Sequence, residues 1–400
     1  MKIVFVLGSV GMSGGNYVTC QHAVHAASMG HEVTLAVMSR FTTANHDWHP
    51  GFASLRIVQL DDLGMQRFDL AIATFWKTAL ELHRIDAAQY AYFVQSIESR
   101  FFDESLPRHR ALVERTYGLG LPGVTEATWI RDYLAQHHAS DFLLAHNGIR
   151  KDLYTQDGPC HSPRVPGKLR VLVEGGFGAP FKNTARTVRT ARRARPHESW
   201  LMTNTQMTWY PGVNRLFSQV PITDVGRVYR SCDVIVKLSL VEGMFGPPLE
   251  MFHCGGTAVV YDVSGHDEYI VHGRNALVAK MHDEAAVVEH LKELRDSPRR
   301  LAELKAGAIQ TAADWPDWGE SSALFVRHIE ALREAAPVSR EALREQTLAI
   351  RAEFAPLLNA APGAAPASAA PGGLRARLGA VRETVRGYKR LLGHIREGYQ

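Results

Sequence analysis

The chain is poor in cysteine, in long apolar runs and in the short motifs that announce common cofactors. Its four cysteines, Cys20, Cys160, Cys232 and Cys254, are scattered and form no C-x-x-C pair, which argues against both a disulfide framework and a structural zinc site. They read as buried thiols. No run of about 18 apolar residues occurs, and the start MKIVFVLGSVG has neither the basic flank nor the cleavage site of a signal peptide. The chain is therefore expected to be cytoplasmic. A net charge of +4 is too small to imply nucleic acid. His46 and His49 in NHDWH, and the pair His137 and His138, lie in polar stretches without Cys or Asp partners at ligand spacing. They read as surface or loop histidines rather than metal ligands.

What is present is one local grammar used twice. Met1 to Leu7 is an apolar run rich in β-branched residues, as a buried parallel strand requires. GSVGMSGGN follows, then a helical segment from about Tyr17 to Met29 stopped by Gly30, then a strand over Glu32 to Met38. Further strands are expected at Leu55–Leu60, Asp69–Thr74, Tyr90–Val94 and Phe142–Ala145. The pattern restarts at Leu169: LRVLVEGG is a strand, FGAPFKN a loop, Thr184 to Ala194 a helix, and Trp200–Thr203, CDVIVKLS and TAVVYDV are strands. KDLYTQDGPCHSPRVPGK between the halves has the composition of a linker. The fold class is thus α/β, with two Rossmann-like doubly wound domains facing a central cleft. Gly8, Gly11, Gly14 and Gly15 do not spell G-x-G-x-x-G, and Met38, Ser39 and Arg40 stand where an acidic residue would hold a nicotinamide ribose. No G-K-[ST] of a P-loop occurs either. The glycines allow a phosphate or sugar to approach the backbone, or simply make the turn.

Candidate chemistry gathers in the second half. Lys182 follows its first strand, where an ammonium can neutralise a phosphate. SLVEGMFGPPLEMFHCGG, Ser239 to Gly256, places Glu242 on a loop and Glu250 in a short helix opened by Pro247 and Pro248 and closed by Gly255 and Gly256. Compensation of a helix dipole would explain Glu250 but neither Glu242 nor the glycines at 243 and 246. Carboxylates accept hydrogen bonds from adjacent hydroxyls, and the amides of Gly243 to Gly246 can meet an anion. A ligand bearing both hydroxyls and phosphate, such as a nucleotide sugar, suits this set, with Glu242 and Lys182 expected to be exposed in the cleft.

These residues carry a resemblance. EGMFGPPLEMFHCGGTAVV followed by GHDEYIVHGRNALV resembles the E-x7-E region of GT-B glycosyltransferases of family 4, and YRSCDVIVKLS looks like the segment leading into it. The first glycine loop, TEATWIRDYL, HNGI and Lys182 are similar in place and type, so the resemblance spans about residues 1 to 335. YFVQSIESRFF and VEGGFGAPFKN are similar to a branch that includes rhamnosyltransferases of bacterial surface polysaccharides. The resemblance implies that Glu242 contacts donor-sugar hydroxyls, that Glu250 binds the ribose and that Lys182 holds the diphosphate. Gly243, Met244, Phe245 and Gly246 would contact the donor, and Gly14 and Gly15 would line the reaction centre. Two departures are Gly176, where many members have an arginine, and Gln95, where many have a sugar-contacting histidine. The implied reaction is transfer to an acceptor hydroxyl with retention. No D-x-D motif is present and no metal or other cofactor is expected. The implied partners are a nucleotide-sugar donor and a glycan or lipid-linked acceptor. Competing readings are a non-catalytic nucleotide-sugar or glycan-binding subunit and another GT-B enzyme, such as a nucleotide-sugar epimerase.

The expected organisation is residues 1–160 and 161–314 as the two domains, with 315–336 as a helical region that the resemblance has crossing back to the first. A helical tail, 337–400, follows. Within it, 360–373 is an Ala/Pro/Gly linker, and 374–396 places Leu374, Leu378, Val381, Val385, Tyr388, Leu391, Leu392 and Ile395 at helical spacing among arginines and lysines. Such a basic amphipathic helix suits an anionic membrane surface, a partner helix, or the body of the enzyme.

Overall fold

In KIVFVL and RVLVE consecutive side chains are buried on both faces, the mark of parallel strands covered by helices on either side. The computed structural model, which describes residues 1–42 and 46–359, builds two such sheets. The first contains β1 (Lys2–Leu7), β2 (Glu32–Val37), β3 (Arg56–Gln59), β4 (Arg67–Ala73), β5 (Asp86–Val94), β6 (Gly123–Thr125) and β7 (Leu143–Leu144) in the order 3-2-1-4-5-6-7. The second contains β8 (Arg170–Glu174), β9 (Glu198–Thr203), β10 (Arg215–Ser218), β11 (Val234–Lys237), β12 (Thr257–Tyr261) and β13 (Ala276–Ala279) in the order 10-9-8-11-12-13. Every pairing between these strands is parallel. In both sheets the order reverses beside the first strand of the half, between β1 and β4 and between β8 and β11. Ligands of doubly wound sheets bind beyond the carboxyl ends of strands at such reversals.

The expected strands are present with shifted ends, and β6, β10 and β13 join them. The first helix runs Gly14–Ser28 and so begins before Tyr17, because the Ser13 side chain accepts from the Asn16 amide at 3.2 Å and caps it there. Gly14 and Gly15 therefore belong to a helix's first turn. His49 is not a surface histidine: it is 3% exposed, packs edge-on against Tyr17, and its Nδ1 lies 3.0 Å from the Gly51 amide. Cys20, Cys232 and Cys254 are buried free thiols, and Cys160 is half-buried.

After the second sheet, the helix Trp318–Glu334 starts with a capping box of Asp317 and Glu320 and packs Trp318, Phe325, Val326 and Ile329 into the core beneath β1. The helix Arg340–Glu353 follows, with Thr347 Oγ 3.0 Å from His83 Nδ1 and Arg351 paired with Glu81. Residues 1–354 form one compact unit and 355–400 a second, whose described part contains the short helix Ala355–Leu358. The linker 360–373 and the amphipathic helix 374–396 lie outside the described residues. Among the described residues no helix is long and apolar enough to cross a membrane.

Candidate active site

The register of the second sheet sets up its charges. Val173 pairs with Val236 across β8 and β11, so the next residues, Glu174 and Lys237, emerge together at the strand ends. Lys237 is only 2% exposed; its ammonium pairs with Glu174 and lies 3.8 Å from Glu242 Oε1. The turn Pro180–Lys182 is tied to the same place: Leu240 N donates to the Phe181 carbonyl at 2.7 Å, and Asn183 Nδ2 donates to the Leu238 carbonyl at 2.9 Å. This brings Lys182 Nζ to 2.7 Å from Glu242 Oε2. The result is an alternating chain, Glu174–Lys237–Glu242–Lys182, whose outer ammonium is 29% exposed.

Glu242, expected on the surface, is 6% exposed. A buried carboxylate is tolerated here because two ammoniums flank it. Burial pushes its carboxyl up, but Lys182 and Lys237 outweigh this and hold it below the ordinary glutamate value. Burial also opposes the charge on Lys237, and Glu174 and Glu242 more than restore it. Glu242 Oε1 has no hydrogen-bond partner among the described residues.

Glu250 lies in the helix Gly246–His253. The Tyr229 hydroxyl donates to its Oε2 at 2.8 Å. Burial pushes its carboxyl up to about 7, since Glu174 adds repulsion and the Tyr229 bond and Lys237 only partly offset both. The two glutamates therefore differ: Glu242 stays ionised, while Glu250 titrates near neutrality.

The loop between them behaves differently from expectation. Met244 and Phe245 are buried. The Met244 amide donates to Glu126 Oε1 at 3.0 Å, and the Gly246 amide to the Met244 carbonyl at 2.9 Å. Two of the four amides assigned to an anion are thus engaged within the protein, that of Met244 by the Glu126 carboxyl and that of Gly246 by the loop's own backbone.

The first half meets this loop directly. A Cβ at Gly243 would lie 2.0 Å from the Gln95 carbonyl oxygen and 2.6 Å from Glu126 Oε1, so no side chain fits there. Gln95 Nε2 donates to the Thr74 carbonyl at 3.2 Å; its Oε1 is buried without a partner among the described residues, 3.3 Å from where a Gly15 Cβ would stand. Gly14 is open, with nothing within 4 Å of its Cβ position. The structure thus brings Lys182, Glu242, Gly243, Gln95 and Gly15 side by side, with Glu250 along the adjoining helix. At Gly176 a Cβ would lie 2.4 Å from Asn204 Oδ1, and Asn204 Nδ2 donates to the Met12 carbonyl of the first half at 3.3 Å; any larger residue would displace that contact.

Sequence reasoning missed Glu174, Lys237 and Glu126. One signal was visible: a lysine closing the otherwise apolar run VIVK needs a buried counter-ion.

Residues 213–311 match the sequence profile of the family described as "Glycosyl transferases group 1". An O-antigen biosynthesis protein of Myxococcus xanthus is 30% identical over 226 residues, which cover 53% of this chain and 17% of that protein. The chain thus spans about a sixth of the length of that curated relative. Among solved structures, sucrose-phosphate synthase from Thermosynechococcus elongatus aligns with a TM-score of 0.65 at 13% identity, covering 84% of this chain and 100% of that one. The Anabaena protein HepE, in complex with UDP and glucose, aligns with a TM-score of 0.64 at 12% identity, covering 83% and 100%. The structural likenesses establish the GT-B architecture, and residues 213–311, which match the group 1 profile, lie within its second half.

Proposed function

We propose that this chain, which carries a group 1 glycosyl transferase domain, moves a sugar from a nucleoside diphosphate to an acceptor hydroxyl with retention and without a metal. The observation that carries the reading is Glu242: a buried, ionised carboxylate at the reversal of the second sheet, with Oε2 on Lys182 and Oε1 3.8 Å from Lys237 but without a hydrogen bond among the described residues. A donor-sugar hydroxyl suits Oε1. Lys182, held by Glu242, faces the diphosphate. As the bond from the anomeric carbon to the phosphate oxygen breaks, negative charge grows on that oxygen, and a fixed ammonium lowers the barrier where the charge develops. The acceptor oxygen bonds to the same carbon on the same face, and its proton passes to the departing phosphate. Glu250 takes the ribose hydroxyls, with Gly14, Gly15, Gln95 and the Gly243–Gly246 loop around the sugar.

The O-antigen relative supports a glycan or lipid-linked acceptor in bacterial surface polysaccharide synthesis, in keeping with the rhamnosyltransferase-like branch. A cytoplasmic enzyme whose segment 374–396 rests on the inner membrane face belongs to the same proposal, as do domains at 1–160 and 161–314.

The test is a thermal-shift screen of the full chain against UDP-, GDP- and dTDP-sugars, followed by nucleoside diphosphate release in EDTA. A ligand at about 100 times its Kd stabilises a protein by about 2.7 kcal/mol. Turnover that survives EDTA and is lost in Glu242→Gln supports the proposal. Stabilisation without turnover under any acceptor supports the non-catalytic subunit instead, and no response to any nucleotide sugar refutes both.

A further inference from the structure

The helix Thr128–His138 begins at Ala127, a residue that has no side chain with which to cap it. Its first amides still find an acceptor, and that acceptor comes from the other half of the chain. Glu268, on the turn His266–Glu268, accepts from Thr128 N at 2.7 Å and Trp129 N at 3.3 Å through Oε1. Its Oε2 accepts from Thr128 Oγ at 3.0 Å and lies 2.8 Å from His146 Nε2. The reciprocal contact runs the other way. Glu126, just after β6, is 5% exposed; its Oε1 accepts from Met244 N at 3.0 Å and its Oε2 from Asn147 Nδ2 at 2.9 Å. Trp129 Nε1 closes the circuit on the Gly243 carbonyl at 3.0 Å.

The backbone is shaped to allow this. Gly265 has φ +81°, and a Cβ there would sit 2.1 Å from the Gly243 oxygen and 2.8 Å from Trp129 Nε1. Gly243 itself has no room for a side chain beside Gln95 and Glu126. Each half therefore lends one carboxylate to backbone amides of the other, and one of those amides belongs to the loop that joins Glu242 to Glu250.

We propose that Glu126 and Glu268 are reciprocal positioning residues: together they hold the two halves closed, and Glu126 sets the Gly243–Gly246 loop in its working shape only when they are closed. Neither touches the reacting atoms. A helix end left bare by its own sequence and a loop amide left for a distant carboxylate are both satisfied by a single relative placement of the halves. Backbone donors buried without acceptors are strongly disfavoured, so each bond depends on the other. The bearing on sugar transfer rests on the glycosyltransferase reading; the closure does not.

The experiment is amide hydrogen exchange on the full chain, comparing wild type, Glu126→Ala, Glu126→Gln and Glu268→Ala, with UDP binding and sugar transfer measured in parallel. Glu126→Ala should speed exchange over 243–246 by about tenfold, the size of one lost hydrogen bond, and should also speed 128–130. Glu268→Ala should do the same to both segments. Glu126→Gln keeps an acceptor for Met244 and should restore protection, while β8 and β11 exchange as in wild type throughout. In transfer, both alanine variants should lose kcat by about tenfold at unchanged UDP affinity, and the glutamine variant should recover most of it. If each alanine variant speeds only its own segment, the reciprocal closure is wrong. If closure is lost while kcat holds, the positioning role is wrong. If exchange behaves as stated and wild type turns over no nucleotide sugar, the closure stands and the glycosyltransferase reading falls.

Discussion

Glu250 supports a prediction with opposite signs in two assays. Burial lifts its carboxyl from 4.5 to about 7 in the free protein. At about 1.4 kcal/mol per pH unit, that amounts to about 3 kcal/mol between its protonation states. The unfolded chain loses this proton near pH 4.5 while the folded chain keeps it to about 7, so the folded state binds more protons across that window. Stability contributed by this group is then present below 4.5 and lost as pH rises to 7. Nucleotide-sugar binding should move the other way. If the ionised carboxylate accepts both ribose hydroxyls, affinity rises by up to about tenfold per pH unit below 7 and levels off above it. A nucleotide sugar is the right probe, because its diphosphate diester does not titrate in this range. Glu250→Gln removes this group's share of both slopes: its melting temperature should fall less steeply than that of wild type between pH 5 and 7, and its affinity at pH 8 should fall by about 1.5 to 3 kcal/mol, the worth of a hydrogen bond to a charged group. Calorimetric titration and thermal melts across pH 5 to 8.5 measure both. Parallel pH profiles for variant and wild type in either assay would refute the assignment of Glu250.

Four further outcomes are expected. Lys237→Met should weaken the fold by about 3 to 5 kcal/mol, as removal of one partner from a buried ion pair does; it should also move the acid limb of kcat/KM to higher pH, because Glu242 keeps its burial and loses one ammonium, and Lys237→Arg should restore the limb in part. Glu98, 4% exposed and pushed by burial up to about 8, takes the Trp76 amide at 2.7 Å; Glu98→Gln should reduce the loss of stability that wild type shows as pH rises from about 4.5 to 8, most of all above pH 7, read as melting temperature against pH. Gly243→Ala should cost at least about tenfold in kcat, because its Cβ would overlap the Gln95 carbonyl, and a variant with wild-type kcat would contradict the packing. Truncation after Gly373 should abolish flotation with anionic liposomes; undiminished flotation would sink the membrane role of 374–396.

The architecture was legible because parallel strands buried on both faces write themselves as apolar runs. KIVFVL, RVLVE and DVIVK stand out against any background. The missed strands have less to show: β6 is three residues, Gly-Val-Thr, and RLFS in β10 is a half-buried edge with an arginine at its start. Edge and very short strands take their shape from neighbours rather than from their own pattern. Glu242, Glu250 and Lys182 could be picked out by type and place. Their environments could not, because burial is a property of the assembled strand ends. Glu242 looks like a loop carboxylate until the β8–β11 register delivers Lys237 beneath it.

That difference bears on how the site works. The charges of Glu174, Lys237, Glu242 and Lys182 alternate, so Lys182 is not an isolated, solvated ammonium. Lys182 is anchored from behind by a carboxylate that is itself paired with a second, buried ammonium. A donor aimed before the charge develops needs no reorganisation when the bond breaks, and fixed dipoles and charges stabilise transition states better than mobile ones. Lys237 is too deeply buried to meet substrate, yet it helps to hold Glu242 ionised and so to keep the anchor on Lys182. Part of the site's electrostatics is therefore supplied by a lysine buried beneath it.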